Sequence, residues 1–568
     1  MTEKAWYVGN TTIRNAKRLK EGLRVLVNYP LHGNLIGKSN EQEFARLLHE
    51  EGVVFVKRLD ESPDNDASDV GRKWRAALMQ LGFIKHSEAD RPFTVTPNGL
   101  RLINVNTLPA EQEVFLRALL AHQIPSVIEV FPEPIFSPLR IVLEVLNKLE
   151  TQGLEAKISK DEMASFVQVT RKIEDVDDAV IKIREYRENL AQITVARDRK
   201  RFVNECRDSV ATYLIGQSSG TLKDYADSNF RYLKLTGLFV ENGSSLKIAV
   251  HKQTIFRQII SEPWQPIPSD NYLDTLWNGA ILPTDNADKA IEAIQSTVSL
   301  LETNGEQFEL PILTSMNEQD LSMLRLNLEE DWLKVLEKQF ASNQVNEWED
   351  ILEYLKALTQ PIRRGSKIPQ GEGPAYFEWA LWRAFLAINH LQNSPWEARR
   401  FRVDEEFYPL GHAVGGGSDL IFEFDDFVIV GEVTLSTSSR QEAMEGAPVR
   451  KHVADMVEQY AEQGKRVYGL FMANTIDTNT AETFRLGVWY HQDDEKMDLE
   501  ILPITIEQFI TIFENGFNNN GQRIINYKMF EELINSCRED CSTTDAPSWK
   551  QVIDEKINHF ANQLKQTS

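Results

Sequence analysis

At 568 residues, with 42% hydrophobic and 26% charged residues, the chain is a globular polypeptide too long for one core, and about three to five domains are expected. A formal net charge of −23 argues at first against a nucleic-acid partner, and only three cysteines, Cys206, Cys537 and Cys541, argue against a disulfide framework and for a reducing cytoplasm. No run of about 18 apolar residues is present to span a membrane, and the opening MTEKAWYVGN lacks a signal-peptide pattern, so a cytoplasmic location is expected.

Residues 1–115 read as a first unit. NEQEFARLLHEE, from Asn40, has helical apolar spacing, and SDVGRKWRAALMQL follows as a second helix with Ser68 as its expected cap. GFIKHSEADRPFTVTPNGLRLI then reads as strand, polar turn, strand and helix start. A helix followed by a two-strand wing is the winged-helix pattern. Arg72, Lys73 and Arg75 are candidate phosphate contacts, with Trp74 as an aromatic docking point or, alternatively, a core residue.

Residues 116–265 repeat the theme. SPLRIVLEVLNKLETQG is an amphipathic helix ending at Gly153, and ISKDEMASFV starts a Ser-capped helix. A charged helix over 176–189 and the basic block RDRKRF come next. TLKDYADSNFRYLKLTGLF then runs into VENGSSLKIAV, where Asn242-Gly243 predicts a hairpin. Lys223, Asn229, Arg231 and Lys234 are the DNA-binding candidates here, since Arg and Asn suit guanine and adenine edges.

Residues 266–365, after the Pro-rich EPWQPIPSDNY, read as a helical, acidic linker domain. Residues 366–568 form the last unit, with a helical tail. The charges are uneven: residues 1–260 hold 37 Lys+Arg against 34 Asp+Glu, and the remainder 25 against 51. An anionic DNA backbone would be met more readily by the first half. Most acids of the second half suit a solvated surface.

The chemistry concentrates in GSDLIFEFDDFVIVGEVTLSTSSRQEAME, from Gly417 to Glu445, which reads as strand, turn, strand, helix. Asp419 stands at the mouth of the first strand. Glu432 comes thirteen residues later, in a run apolar enough for burial on both faces. Glu378 lies in the aromatic-rich helix YFEWALWRAFLAI. Glu445 and His452 are seven residues apart, on a similar face if one helix carries both past Pro448. Two carboxylates at the open end of a hairpin are the PD-(D/E)xK nuclease pattern. They offer hard oxygens to Mg²⁺, with the Val433 carbonyl able to complete the shell. The usual terminal Lys of that motif is Thr434 here. His412 is a further site candidate, and Arg450 and Lys451 read as phosphate contacts. Gly415 to Gly417 precede no GK[ST] and form no P-loop. Cys537 and Cys541 lack a second Cys/His pair for zinc. No GxSxG, HExxH, EF-hand or Rossmann fingerprint occurs.

YFEWALWRAF, the block GHAVGGGSDLIFEFDDFVIVGEVTLSTSSRQEAMEGAPVRKHV, the opening WYVGNTTIRN and, less fully, FRYLKLTGLF resemble the AlwI family of type IIS restriction endonucleases, which has a nicking enzyme among its cousins. The resemblance implies N-terminal winged-helix subdomains, mainly α, that bind a short asymmetric DNA site. A helical linker would join them to a C-terminal α/β PD-(D/E)xK restriction-endonuclease-like domain that cuts a few base pairs downstream. It implies Asp419, Glu432 and Val433 as the Mg²⁺ set and Glu378, Asp419, Glu432, Glu445 and His452 as catalytic residues. The Thr434 departure would be shared by relatives. One such domain cuts one strand, so a double-strand cut implies a second catalytic domain, by transient homodimerisation or from a small partner subunit. A cognate methyltransferase would protect host DNA. The competing readings are a strand-specific nickase and a winged-helix DNA-binding regulator with a degenerate nuclease fold.

Overall fold

The computed structural model describes residues 4–567 except 30, 32–34, 86–92, 215, 364, 414, 437–439, 491–493 and 519. Two compact units emerge, Met1–Leu333 and Lys334–Ser568. Among the described residues no helix is long and apolar enough to cross a membrane.

The first unit is mostly helical. The helix expected from Asn40 spans Lys38–Glu50, and the next spans Ser68–Gln80. Its cap is Ala67 rather than Ser68, because the Ser68 hydroxyl is drawn to Asp66 Oδ1 at 2.7 Å. Trp74 is a core residue, 3% exposed, and is no docking point: its ring lies where a side chain at Gly22 would stand. Ile84 and Val95 form an antiparallel bridge, and the turn between them lies outside the described residues. Thr96 caps the helix that follows, with Pro97 in its first turn.

Further along, three short strands, β1 (Ile158–Ser159), β2 (Phe239–Asn242) and β3 (Ser245–Ile248), form an antiparallel sheet in the order β1-β3-β2. Gly243 has φ 62° in the β2–β3 turn, where Asn-Gly supplies the left-handed backbone a tight hairpin needs. Helix α1 (Ser219–Lys234) precedes this hairpin, its first turn closed by the Ser218 side chain. The opening of the chain threads into the same core. Trp6 is fully buried and donates its indole N–H to the Thr170 carbonyl at 2.8 Å.

A buried chain of charges ties this unit to helix α2 (Glu318–Asn343). Lys252 Nζ meets Glu329 Oε2 at 2.6 Å, Glu329 also holds Arg325, and Arg325 pairs with Glu113. Glu113 shares Arg117 with Asp285. Burial pushes the Glu329 carboxyl up, but Lys252 and Arg325 overcome it and hold the group at about 2. Burial likewise depresses the neighbouring His251 to about 3, keeping it neutral.

The second unit is built on a four-stranded sheet, β4 (Leu420–Glu423), β5 (Phe427–Thr434), β6 (Arg466–Ala473) and β9 (Glu500–Thr505), in the order β4-β5-β6-β9. The first pair is antiparallel and the other two parallel. A separate hairpin, β7 (Val488–Tyr490) with β8 (Lys496–Asp498), interrupts the connection. Strand periodicity sends Phe427 and Ile429 into the core shared with helix α3 (Gly373–Ile388), where Phe385 stacks on Phe422 at 4.0 Å. Val428 and Val430 enter the opposite core, with Val449 and Val453 of helix α4 (Ala447–Tyr460). Both faces are covered, as the apolar run of β5 requires. Cys537 is buried and Cys541 half-buried, both free thiols.

Glu329→Gln should destabilise the first unit by about 3–5 kcal/mol, because it strands the Lys252 ammonium and Arg325 guanidinium in the interior. Denaturant unfolding followed by tryptophan fluorescence checks this. Equal midpoints for parent and variant would show that the buried charges are not coupled as described.

Candidate active site

Pairing between β4 and β5 puts Leu420 opposite Gly431. One residue further along that register, Asp419 stands opposite Glu432. Residues opposed in an antiparallel pair project from the same face. Glu432 keeps the parity of Val428 and Val430, so that face is the one covered by α4. Asp419 Oδ2 accepts the Val433 backbone N–H at 3.0 Å, which fixes the carboxylate across the mouth of the hairpin. The carbonyl of an extended residue points to the same edge as its N–H, so Val433 turns its carbonyl toward Asp419.

Other elements bring up the rest of the set. Glu378, on α3, is 5% exposed, and its Oε2 accepts the Ala413 N–H at 2.7 Å. A π turn over Glu442–Gly446 leads directly into α4, so the helix does continue past Pro448. Gln441, fully buried, anchors this turn. It donates to the Ser436 and Thr475 carbonyls and accepts the Asp477 N–H. Glu445 is half-buried and acts electrostatically on both Asp419 and Glu432. His452 Nδ1 lies 2.8 Å from Glu432 Oε1.

Burial and mutual repulsion shape the charges of this cluster. Burial, with Asp419 and Glu432 beside it, pushes Glu378 up to about 9. Burial and Glu445 raise Asp419 to about 6 against the opposing Val433 hydrogen bond, His452 and Arg400. Glu432 is raised well above the ordinary carboxyl value by burial, then Asp419 and Glu445. Burial lowers His452. Each group is therefore pushed toward its neutral form when no cation is present.

Among the described residues no three His, Cys, Asp or Glu side chains form a complete metal cage. The donor set nonetheless suits a hard cation. Mg²⁺ keeps several waters and is bound through one or two carboxylates. Asp419, Glu432 and the Val433 carbonyl supply only oxygen. The hydroxyl of Ser418, next to Asp419, is buried and has no hydrogen-bond partner among the described residues. Thr434 carries no charge to this site, and its hydroxyl accepts the Ser436 N–H at 3.2 Å. Arg400 is a site residue that sequence reasoning misses. It lies in the run ARRFR, where nothing in spacing separates it from its neighbours. His412 is exposed, next to the Ala413 that caps Glu378. Arg450 spends its guanidinium on the Gly446 and Val488 carbonyls. Lys451 is exposed.

The candidates in the first unit divide sharply. Asn229 is fully buried and is not a base reader: it accepts the Val8 N–H at 2.8 Å and donates to Gln168. Arg231 is tied to Asp227 and to the Ile13 and Thr11 carbonyls. Lys234 is 8% exposed and paired with Glu241. Arg75 pairs with Glu41 and Lys73 with Asp69. Arg72 and Lys223 are exposed, with no ion pair among the described residues.

A family model described as AlwI restriction endonuclease matches residues 79–512, which takes in both units but not the opening WYVGNTTIRN. No curated protein matches. Among solved structures, the small subunit of the heterodimeric restriction endonuclease R.BspD6I is 21% identical, covering 37% of this chain and 98% of that one, with a TM-score of 0.29. The BpuJ1 endonuclease binding domain, solved with pyrene- and phenanthrene-modified DNA, is 14% identical over 57% of this chain and 95% of that one, TM-score 0.30. Restriction endonuclease FokI is 11% identical over 94% and 99%, TM-score 0.25.

A raised carboxyl pKa means that the folded state keeps a proton the unfolded state has lost. In the absence of divalent cations, stability therefore falls as pH rises from 4.5 toward about 9 through Glu378. Glu378→Gln removes that loss. In EDTA it should raise the melting temperature at pH 8.5 and leave it nearly unchanged at pH 4.5. The same shift at both pH values would contradict the raised pKa.

Proposed function

The chain belongs to the AlwI restriction endonuclease family, and from that membership we propose that it is a Mg²⁺-dependent type IIS enzyme, binding a short asymmetric DNA site and hydrolysing phosphodiester bonds a few base pairs outside it. The observation that carries the chemistry is the opposition of Asp419 and Glu432 across the β4–β5 hairpin, with Glu378, Glu445 and His452 gathered around it.

Asp419, Glu432 and the Val433 carbonyl would hold the cation. When bound, it relieves charge on the scissile phosphate and lowers the pKa of a water. Beside a bound cation Asp419 and Glu432 would be ionised, reversing their tendency to hold protons. An ionised Glu432 would orient His452 by accepting a hydrogen bond from its Nδ1–H. That leaves Nε2, which has no hydrogen bond among the described residues, as the acceptor for a proton from the attacking water. Glu378, pinned by the Ala413 N–H, and Glu445, carried by the π turn, would flank the pair and orient water through their oxygens.

The first unit would bind the DNA. The helix-then-hairpin order of α1, β2 and β3 supports a winged-helix reading of that segment, with Arg72 and Lys223 as phosphate contacts. One set of acids cuts one strand, so cleavage of both strands calls for a second set from a like chain or a small partner subunit. A cognate methyltransferase would guard the host sites. The regulator reading leaves the gathering of four carboxylates without a purpose.

Mapping the ends produced from mixed plasmid DNA tests this reading. The parent chain with Mg²⁺ should give uniform ends at one offset from one sequence, and none in EDTA. Asp419→Ala should slow cleavage by at least about 10²-fold, the scale of losing one group that supports the transition-state charge, while duplex binding persists. Random ends, or a variant that cuts normally, would refute the site. Arg72→Ala and Lys223→Ala should each lower the slope of log binding constant against log salt by about 1, in a fluorescence titration without Mg²⁺. Asn229→Ala should instead lower stability by about 1–3 kcal/mol, since the Val8 N–H loses its acceptor, and leave sequence preference alone.

A further inference from the structure

Position 434 offers no cation, yet phosphoryl chemistry needs positive charge near the phosphate oxygens. The fold brings another group there. Arg399 bridges Leu420 in antiparallel sense, on the side of β4 away from β5. One step along that register, Arg400 stands beside Asp419, as Glu432 does on the other side. Its guanidinium passes close over the backbone at Gly417: a Cβ there would lie 2.6 Å from Nη1. Its charge reaches Asp419, Glu432 and His452.

Arg400 is also unspent. Arg399 is held bidentately by Glu337, at 2.7 and 2.8 Å. Arg400 is exposed and makes no hydrogen bond or ion pair among the described residues, although carboxylates stand nearby. A guanidinium has five donors in a planar fork that fits phosphate oxygens and stays charged at any working pH.

We propose that Arg400 is a catalytic residue that contacts the scissile phosphate and supplies the positive charge absent at Thr434, a role that rests on the endonuclease reading above. In the hydrolysis the hydroxyl of water joins phosphorus, the bond from phosphorus to the leaving ester oxygen breaks, and the remaining proton of water ends on that oxygen. Arg400 gives and takes no proton. It binds the non-bridging oxygens as charge builds on them. Gly417 is the companion requirement, since any side chain there would push the guanidinium aside.

The test uses the full chain and a duplex carrying the sequence at which the parent cuts. Single-turnover cleavage with Mg²⁺ is compared with binding in Ca²⁺ followed by fluorescence anisotropy. Arg400→Ala should cut at least about 10²-fold more slowly while its Kd stays within about threefold of the parent. Arg400→Lys should recover part of the rate, and free guanidinium ion should speed the Ala variant but not the parent. Gly417→Ala, which moves only the far end of a flexible side chain, should show a smaller loss of the same kind. Arg400→Ala cutting within about threefold of the parent would overturn the assignment. So would a slow variant with a lowered melting temperature and no gain from Lys or guanidinium, because that marks a structural role. A parent that cuts no DNA would overturn the endonuclease reading and this one together, whereas a cutting parent with an equally active Arg400→Ala would overturn only this one.

Discussion

The antiparallel register of β4 against β5 is the constraint on which the site depends. Leu420 opposite Gly431 places Asp419 opposite Glu432. A slip of one residue would turn one of the two carboxylates to the other face of the sheet. The register is well specified because both faces of β5 are buried, with alternate residues committed to different cores. Burying the hairpin on both sides thus does two things at once: it stabilises the sheet, and it sets the spacing of the acids at its open end.

Bringing like charges together in a half-buried cleft is unfavourable, and the raised carboxyl pKa values express that strain. Rigid elements hold the cluster against it. Backbone N–H groups of Val433 and Ala413 pin Asp419 and Glu378, the Gln441 amide clamps the turn carrying Glu445, and His452 rests on Glu432. Each acid comes from a different element, so the arrangement is preorganised by the fold rather than by local sequence. The proposed metal-assisted hydrolysis rests on this cluster, a dense set of oxygens whose repulsion a cation would relieve.

The first unit solves a different problem. Its basic residues are largely committed to internal ion pairs, from the interior chain of Lys252, Glu329, Arg325 and Glu113 to the pairs that Arg231 and Lys234 make with Asp227 and Glu241. The near-neutral balance of the first half is therefore a poor guide to which cations face outward. Among the described residues, Arg72 and Lys223 belong to a minority without a hydrogen bond or ion pair, together with others such as Arg184, Arg197 and Lys200.

Local pattern was enough to read the hairpin, the buried run of β5, the Asn-Gly turn before β3 and the helices around them. Each depends on periodicity or turn chemistry within a dozen residues. Asp419 and Glu432 could be paired from the sequence because they flank one hairpin, whereas Glu378, Glu445 and His452 sit on other elements and meet them only in the fold. Other assignments were decided only by tertiary packing. Trp74 and Asn229 look like ligand-binding groups on a helix, but burial depends on what packs against that helix, and a short motif holds no record of it. Arg400 could not be singled out for the same reason. Its place beside Asp419 comes from a bridge between residues 399 and 420, and its freedom from the pairing of its neighbour to Glu337. The sequence determined which chemistry the chain carries and on which elements, since those follow from residue type and period. Which cations stay free, and which polar groups vanish into the core, belonged to the three-dimensional structure, because those properties arise between segments far apart along the chain.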